Sequence, residues 1–276
     1  MDCKFCGSIY VVKFGTKSGL QYYWCKSCHR KFAGTDAPPG MRTPTTAIGK
    51  AMGLFFSGSS LAEIAKQLSN EDGVGVNSST VWRWVVRYSR QAGKLLRKVR
   101  VSTSPTWVID ETSIRIGGVN MWYWDVLDSE SQFLLDTHFS TSHTFRDAVH
   151  VLTSAQGHSL TLPQVILSDS LSPYPDAIQT AFGPTSRKIK LQALPHSKGA
   201  DSIGGFRTAM GDRSKVLKSL KTLEAANIII DGFVVDYDFL KPHMTMNSQT
   251  PAQACGLKPE FNNWVGLVDY LGRVVA

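Results

Sequence analysis

Long apolar runs are missing from this 276-residue sequence, and so is the charged and then apolar leader of a secreted protein. No run approaches the roughly 18 apolar residues that a membrane-spanning helix needs. Hydrophobic residues make up 42% of the chain, an ordinary share for a globular protein. These absences favour a cytoplasmic protein that contacts no membrane. Its length allows a core of about 150 residues and one or two small domains.

Cysteine is also scarce, with five in the whole chain, but four of them form two Cys-x2-Cys pairs separated by 18 residues. The four are Cys3, Cys6, Cys25 and Cys28. This is zinc-ribbon spacing, and a hairpin pattern lies between the pairs. We expect residues 1–34 to fold around a structural Zn²⁺, because so small a segment buries too little apolar surface to fold alone. His29 is either a competing ligand or a surface side chain, and Cys255 is expected to be a free thiol.

Acidic residues are few in the first 100 positions, which hold 16 Lys and Arg against 5 Asp and Glu. The balance reverses to 2 against 9 over 101–186 and returns to 9 against 2 over 187–221. A basic front end favours a polyanionic partner, above all nucleic acid, although a solvated basic face would have the same composition. An acidic middle is suited to phosphates only if a divalent metal lies there.

The basic front end also has the pattern of a helix-turn-helix domain over 46–100, after a Pro-, Gly- and Thr-rich linker at 35–45. Ser59 or Ser60 is expected to be the N-cap of a helix, and Glu63, three residues after Ser60, has the spacing of a capping box. A short Gly-containing turn then precedes a basic helix that we expect to be capped by Ser or Thr and to enter the major groove of double-stranded DNA. A plain helical hairpin is the alternative. The candidate DNA contacts are Ser78, Ser79, Thr80, Arg83 and Arg87.

Beyond this domain the apolar period changes to that of strands. Three strand patterns, a helix, a short buried strand, a second helix and a further strand predict an α/β, RNase H-like (integrase-like) core over 101–257, with 258–276 as a tail. Asp110 lies in the first of these strands and Asp169 ends the fourth. Because those strands are neighbours in such a sheet, we expect the two carboxylates to converge on Mg²⁺ or Mn²⁺. Strands also end in Asp for turn reasons.

Nearly the whole chain resembles a prokaryotic insertion-sequence transposase of the DDE class. The resemblance implies binding to the element's terminal inverted repeats, strand transfer into target DNA, a homodimer or higher synaptic oligomer, and a place at the nucleoid. Basic residues of the second basic stretch would track phosphates: Arg207, Arg213, Lys215 and Lys218. The matching stretches are Cys3–Phe32, SSLAEIAKQL, STVWRWVVRY, VIDETSI, YWDVLD, ILSDSLSPY, DRSKVLKSL and DYDFLKPHMTMNSQTPAQACGL.

The third acidic residue of the DDE class has no counterpart here. Gly204 and Gly205 stand where the family has Glu and Arg, and Asp238 stands where it has Asn. Asp201, one helical turn before Gly204, is a candidate substitute, and Asp212 lies two turns onward. Loss of one of three carboxylates predicts a rate loss on the order of a thousandfold. The alternatives are therefore a catalytically dead DNA-binding relative, acting as a repressor or decaying element, and an ordinary helix-turn-helix regulator.

Overall fold

The computed structural model divides into two compact units, here called the N-terminal unit (1–92 with 260–276) and the core unit (93–259). Among the described residues, no helix is both long and apolar enough to span a membrane. The described residues are 1–17, 19–96, 98–168, 174–193, 220 and 222–274.

Eight strands and eight α-helices are described. The strands are β1 (Val11–Lys17), β2 (Leu20–Cys25), β3 (Lys31–Ala33), β4 (Thr106–Ile116), β5 (Val119–Asp128), β6 (Leu134–Ser140), β7 (Val165–Ser168) and β8 (Lys190–Ala193). The helices are α1 (Thr45–Phe56), α2 (Leu61–Asp72), α3 (Ser78–Leu96), α4 (Phe145–His158), α5 (Tyr174–Phe182), α6 (Leu223–Val235), α7 (Pro251–Ala254) and α8 (Trp264–Val274).

The N-terminal unit begins with a small antiparallel sheet in the order β1-β2-β3. One face of this sheet packs a minimal core of Cys3, Cys25 and Phe32, with Phe5 and Tyr23 against it. Three buried side chains are few for a stable fold, so this segment depends on further support, such as a bound metal.

Helices α2 and α3 are joined by the short turn that the sequence predicts. The capping box is confirmed: the Ser60 amide donates to Glu63 Oε2 at 2.8 Å, and the Glu63 amide donates to Ser60 Oγ at 3.3 Å. The prediction of a Ser or Thr cap on α3 is wrong, because the Thr80 amide donates to Asn77 Oδ1 at 2.9 Å. Asn is as good an N-cap residue as Ser. The N-cap of α3 is therefore Asn77, the residue just before the first helical residue, Ser78.

The segment 258–276, treated above as a tail, contains α8, which packs closely on α1. The Phe56 and Trp264 rings stack with their centroids 5.0 Å apart. A Cβ placed on Gly49 of α1 would lie against the Cα of Val265 and 2.6 Å from its backbone nitrogen. The two helices therefore approach each other so closely at this point that only glycine fits.

Alanine substitution is predicted to have opposite effects on stability at two glycines of α1. Gly49→Ala should destabilise the protein by about 1–3 kcal/mol, because the new methyl group overlaps the backbone of α8. Gly53→Ala should stabilise it by about 0.5–1 kcal/mol, because the new Cβ would lie 4.0 Å from Trp264 Cδ1 and alanine favours helix. Thermal or urea unfolding of both variants tests this, and changes of the same sign would contradict it.

The core unit is built on a five-stranded mixed sheet in the order β6-β5-β4-β7-β8. β4, β5 and β6 are antiparallel neighbours, whereas β7 runs parallel to both β4 and β8. Three antiparallel strands followed by parallel strands that alternate with helices is the topology of an RNase H-like core. The fold class predicted from the sequence is therefore confirmed.

Helices α4 and α5 cover one face of this sheet. On that face the Trp107 ring lies 6.0 Å from the Phe182 ring of α5, and the Trp124 ring meets Tyr174 edge to face. Because side chains alternate along a strand, Asp110 points to the other face while Glu111 points toward these helices.

Candidate metal centres and DNA-binding helix

The four paired cysteines come together in the N-terminal unit. Their sulfur atoms all lie within 4.8 Å of one another, with Cys3 to Cys28 at 3.5 Å and Cys6 to Cys25 at 3.6 Å. A tetrahedral Zn²⁺ with Zn–S bonds of about 2.3 Å requires sulfur atoms about 3.8 Å apart. The cluster thus fits a closed structural zinc site. His29, the alternative ligand, lies on the other side of β2 with its ring 6.2 Å from that of Trp24.

The electrostatics of this cluster also favour a dication. Burial opposes ionisation of Cys25, but the backbone N–H groups of Cys28 and Ser27, with the neighbouring thiols, outweigh it and lower the Cys25 pKa to about 6. Burial and contacts with Cys3 and Cys6 raise the pKa of Cys28 to about 12. One thiolate forms readily while another resists ionisation, so full deprotonation needs a positive charge at the centre.

Metal analysis tests the zinc site directly. The purified chain should hold about one zinc per molecule, and Cys6→Ser should release it and abolish the near-ultraviolet dichroism of the ribbon aromatics. Cys255→Ser is the matched control, since this thiol lies in the core unit and donates to Ser131 Oγ at 3.1 Å. Full zinc content in Cys6→Ser would rule out a four-cysteine site.

Asp110 lies at the centre of the core sheet and is 1% exposed. Its Oδ1 accepts a hydrogen bond from the Glu111 amide at 2.8 Å. β4 pairs in parallel with β7 through Thr106↔Val165, Trp107↔Ile166 and Val108↔Leu167. The end of β7 therefore lies beside the stretch of β4 that leads to Asp110. The second predicted carboxylate, Asp169, follows Ser168 in the sequence and lies outside the described residues.

A second buried carboxylate lies directly beside Asp110 on the neighbouring strand, β5. Asp125 of β5 is its direct partner in the antiparallel register and is 2% exposed. Directly opposed residues project from the same face, and two like charges there repel each other. Burial makes that repulsion costly unless a proton or a cation lies near both groups. A divalent cation bound beside the pair would offset the repulsion. Sequence patterning missed Asp125 because a lone Asp in a strand gives no signal.

Glu111 is engaged on the opposite face, toward α4 and α5. The Tyr174 hydroxyl, at the first residue of α5, donates to Glu111 Oε2, and His143 Nε2 lies 3.0 Å from Glu111 Oε1. The His143 ring in turn stacks on Trp124, with centroids 4.9 Å apart. This network ties the start of α5 to β4 next to Asp110. Tyr174 belongs to the ILSDSLSPY stretch, which is the signal that could have identified it.

Asp238, the other departure from the family pattern, is completely buried beneath β6. Its Oδ1 accepts a hydrogen bond from the Leu134 amide at 3.0 Å, while Oδ2 has no hydrogen-bond partner among the described residues. Burial raises the pKa of this carboxyl well above its usual value, against the opposing effect of the Leu134 N–H. A protonated Asp has the shape of Asn, so the substitution preserves the packing and makes stability depend on pH.

The sign of that dependence follows from the raised pKa. The folded state keeps a proton that the unfolded chain releases above about pH 3.9, so stability is lost as pH rises from there toward the folded pKa. Asp238→Asn should remove this loss and be the more stable form at pH 7.5. Its advantage should shrink by up to about 1.4 kcal/mol per pH unit as the pH falls toward 4.

Thermal unfolding at several pH values between 4 and 7.5 measures the effect. Asp176→Asn is the control, because Asp176 is exposed in the first turn of α5 and its charge favours the helix N-terminus. A gain for Asp238→Asn that does not vary with pH would contradict a protonated Asp238.

The predicted DNA contacts at the start of α3 are accessible. Ser79, Arg83 and Arg87 are exposed, whereas Ser78 and Thr80 are partly buried. Arg83 Nη2 donates to Thr80 Oγ1 at 3.0 Å, which holds the guanidinium against its own helix. The remaining candidate positions lie outside the described residues: Asp201, Gly204, Arg207, Asp212, Arg213, Lys215 and Lys218.

Comparison with known sequences identifies a matching family model and curated relatives. A family model described as a DDE domain, DDE_Tnp_IS240, matches residues 104–242, half of the chain. The transposase for insertion sequence-like element IS431mec of Staphylococcus aureus (strain Mu50 / ATCC 700699) is 32% identical over 90 residues, and its counterpart in strain N315 matches equally. The match covers 33% of this chain and 38% of those curated relatives, so the chain spans well under half of their length.

Solved structures with some similarity include a chain of a viral intasome and an integrase catalytic core domain. A chain of the simian T-cell lymphotropic virus intasome in complex with PP2A regulatory subunit B56 gamma has a TM-score of 0.46 at 16% identity, covering 76% of this chain and 73% of that one. The HTLV-2 integrase catalytic core domain in complex with magnesium (trimeric form) has a TM-score of 0.43 at 17% identity, covering 56% and 99%. The fold assignment rests on the strand order rather than on these likenesses.

Proposed function

The chain belongs to the DDE_Tnp_IS240 family of transposase DDE domains, and from this membership we propose that it is a DNA transposase. It binds the terminal inverted repeats of its own element and catalyses metal-dependent strand transfer into target DNA. In this copy Gly204 replaces the third carboxylate. The work takes place on the chromosome of a prokaryotic cell.

The placement of Asp110 is the observation that carries this proposal. It is buried at the centre of an RNase H-like sheet, and its strand pairs in parallel with β7. Asp169 directly follows the last residue of that strand in the sequence. Neighbouring carboxylates at adjacent strands are the oxygen ligands that Mg²⁺ and Mn²⁺ prefer.

The chain's own residues would divide the chemistry as follows. Asp110 and Asp169 would hold the metal, and Asp125 would add a carboxylate on the same face of the sheet as Asp110. When bound, a divalent metal supplies charge stabilisation at the phosphoryl group and activation of the attacking 3′-hydroxyl. Tyr174 and His143 hold Glu111 on the far side of β4, which fixes the start of α5 relative to that strand. A rigid frame of this kind keeps the two carboxylates at a constant separation.

DNA binding is assigned to the helix-turn-helix domain, 46–100, which follows the ribbon (1–34) and the linker (35–45). Ser79 and Arg83 lie at the exposed start of α3, where a recognition helix meets base edges. Catalysis is assigned to 101–257, and 258–276 follows it as a C-terminal segment. Two element ends must be held together, so the working form is a homodimer or larger.

The missing carboxylate gives a second candidate function. A chain without the third metal ligand but with its DNA-binding helix would occupy element ends without joining them. Such a chain acts as a repressor or represents a decaying element. Gly204 is the specific residue that favours this alternative.

Strand transfer on short duplexes carrying the element's ends, with Mg²⁺ or Mn²⁺, decides between the two. We expect Gly204→Glu to join DNA faster than the native chain by a factor on the order of a thousand, because groups that act as a unit are strongly non-additive. Asp110→Asn in the Gly204→Glu background is the negative control and should abolish the reaction.

Each other outcome has a definite meaning. If the native chain already joins DNA at full rate, another carboxylate completes the site, and Asp201→Ala and Asp125→Asn identify which one. If neither form joins ends that both bind tightly, the binding-only alternative is correct and the transposase proposal fails.

A further inference from the structure

The exposed face of the ribbon sheet carries an organised array of aromatic rings and a lysine. The Phe14 and Trp24 rings stack with centroids 5.7 Å apart. Lys31 Nζ lies 4.3 Å from the centroid of Phe14 and 4.7 Å from that of Tyr22. Phe14 is 53% exposed. These four residues, Phe14, Tyr22, Trp24 and Lys31, are called the ribbon platform.

The ribbon platform lies on the face away from the cysteines. Trp24 pairs with Lys31 in the β2–β3 register, whereas the adjacent pair Tyr23 and Phe32 packs against the cysteine side. The small core therefore does not need the platform rings for its packing. Exposed apolar side chains that form a contiguous patch, as Phe14 does with Trp24 and Tyr22 through Lys31, mark binding surfaces in a way that single scattered ones do not.

A basic groove of about 570 Å³ continues from the platform at Tyr22 and Lys31. The ribbon forms one wall and the segment 35–42 forms the other, and Lys4 joins them by donating to the Ala37 carbonyl oxygen at 2.8 Å. Exposed cations along the groove are Lys17, Lys31 and Arg42, and the lining residues among those described include no Asp or Glu. Asp36 belongs to the 35–42 wall, where its charge interacts with Lys4. The groove has the volume to hold one or two nucleotides and the charge to hold their phosphates.

We propose that the ribbon platform and its basic groove bind unpaired DNA, with bases stacked on Phe14 and Trp24 and phosphates held by Lys31 and Arg42. A duplex presents phosphates and base edges, so exposed rings would gain little from it. An unpaired strand presents base faces, and aromatic side chains beside a positive groove are the usual platform for them. This site is distinct from the start of α3. It rests on the proposed function in one respect, which is that the partner is DNA.

Fluorescence anisotropy with the full zinc-loaded chain tests the site, using a labelled 12-nucleotide single strand and a labelled blunt duplex as probes. Phe14→Ala should weaken single-strand binding about tenfold and duplex binding less than twofold. Phe14→Tyr, which keeps a ring, should retain the native affinity. Lys31→Gln should weaken single-strand binding. It should also reduce the slope of log affinity against log salt concentration by about the amount that one phosphate contact contributes.

Two matched controls lie on the same ribbon outside the platform. Ile9→Ala removes another exposed apolar side chain (Ile9 is 73% exposed), and Lys26→Gln removes another exposed lysine. Neither should alter single-strand affinity, and zinc content should be equal in every variant. Arg83→Ala should weaken duplex binding instead. The role of α3 is therefore tested by the duplex affinity of Arg83→Ala, and the role of the ribbon platform is tested separately by the single-strand affinity of Phe14→Ala.

Three results would overturn the proposal. Unchanged single-strand affinity in Phe14→Ala would show that the rings do not stack on bases. Equal losses for single strand and duplex would make the platform part of an ordinary duplex footprint. Loss of self-association in Phe14→Ala, without any change in DNA affinity, would show that the face is covered by a second copy of the chain.

Discussion

The hydrogen bonding of β4 on both of its edges is the constraint on which the core unit depends. One edge pairs in antiparallel fashion with β5 over ten residues, and the other pairs in parallel with β7. A strand held on both sides cannot shift its register without turning every side chain to the opposite face. Asp110 is therefore fixed on one face and Glu111 on the other. A candidate metal ligand and the residue that anchors its strand to α5 are thus separated by a single peptide bond.

This separation explains why the middle of the chain can be acidic without being unstable. Asp110 and Asp125 lie together on the face where a cation would offset their charge, while Glu111 is held by Tyr174 and His143. Asp128 at the end of β5 accepts from the amides of Ser104 and Ser131, at 2.7 and 2.9 Å. The carboxylates of this region thus serve different purposes, and net charge alone does not distinguish them.

Local patterns predicted most of the elements, whereas contacts between distant residues could not be predicted. Strand alternation identified β4 to β6, and Ser60 with Glu63 identified the start of α2, because each signal lies within a few residues. The packing of α8 on α1 joins positions more than 200 residues apart, and no period in the sequence reveals it. Asp125 was missed for the same reason, since its meaning comes only from its cross-strand partner. The cap on α3 was misplaced because Asn77 and Ser78 are equally suitable by residue type.

The contact of Gly49 with Val265 also affects the order in which the chain folds during synthesis. Helix α1 is complete after fewer than 60 residues have been made, but its partner α8 emerges only after the whole core unit has been translated. Until then α1 can pack against α2 and α3, but the part of α1 that carries Gly49 and Phe56 lacks its partner α8. This domain is consequently completed only after the core unit has been made. An early stop codon between the core unit and α8 would therefore damage a domain whose first helices are encoded ahead of that unit.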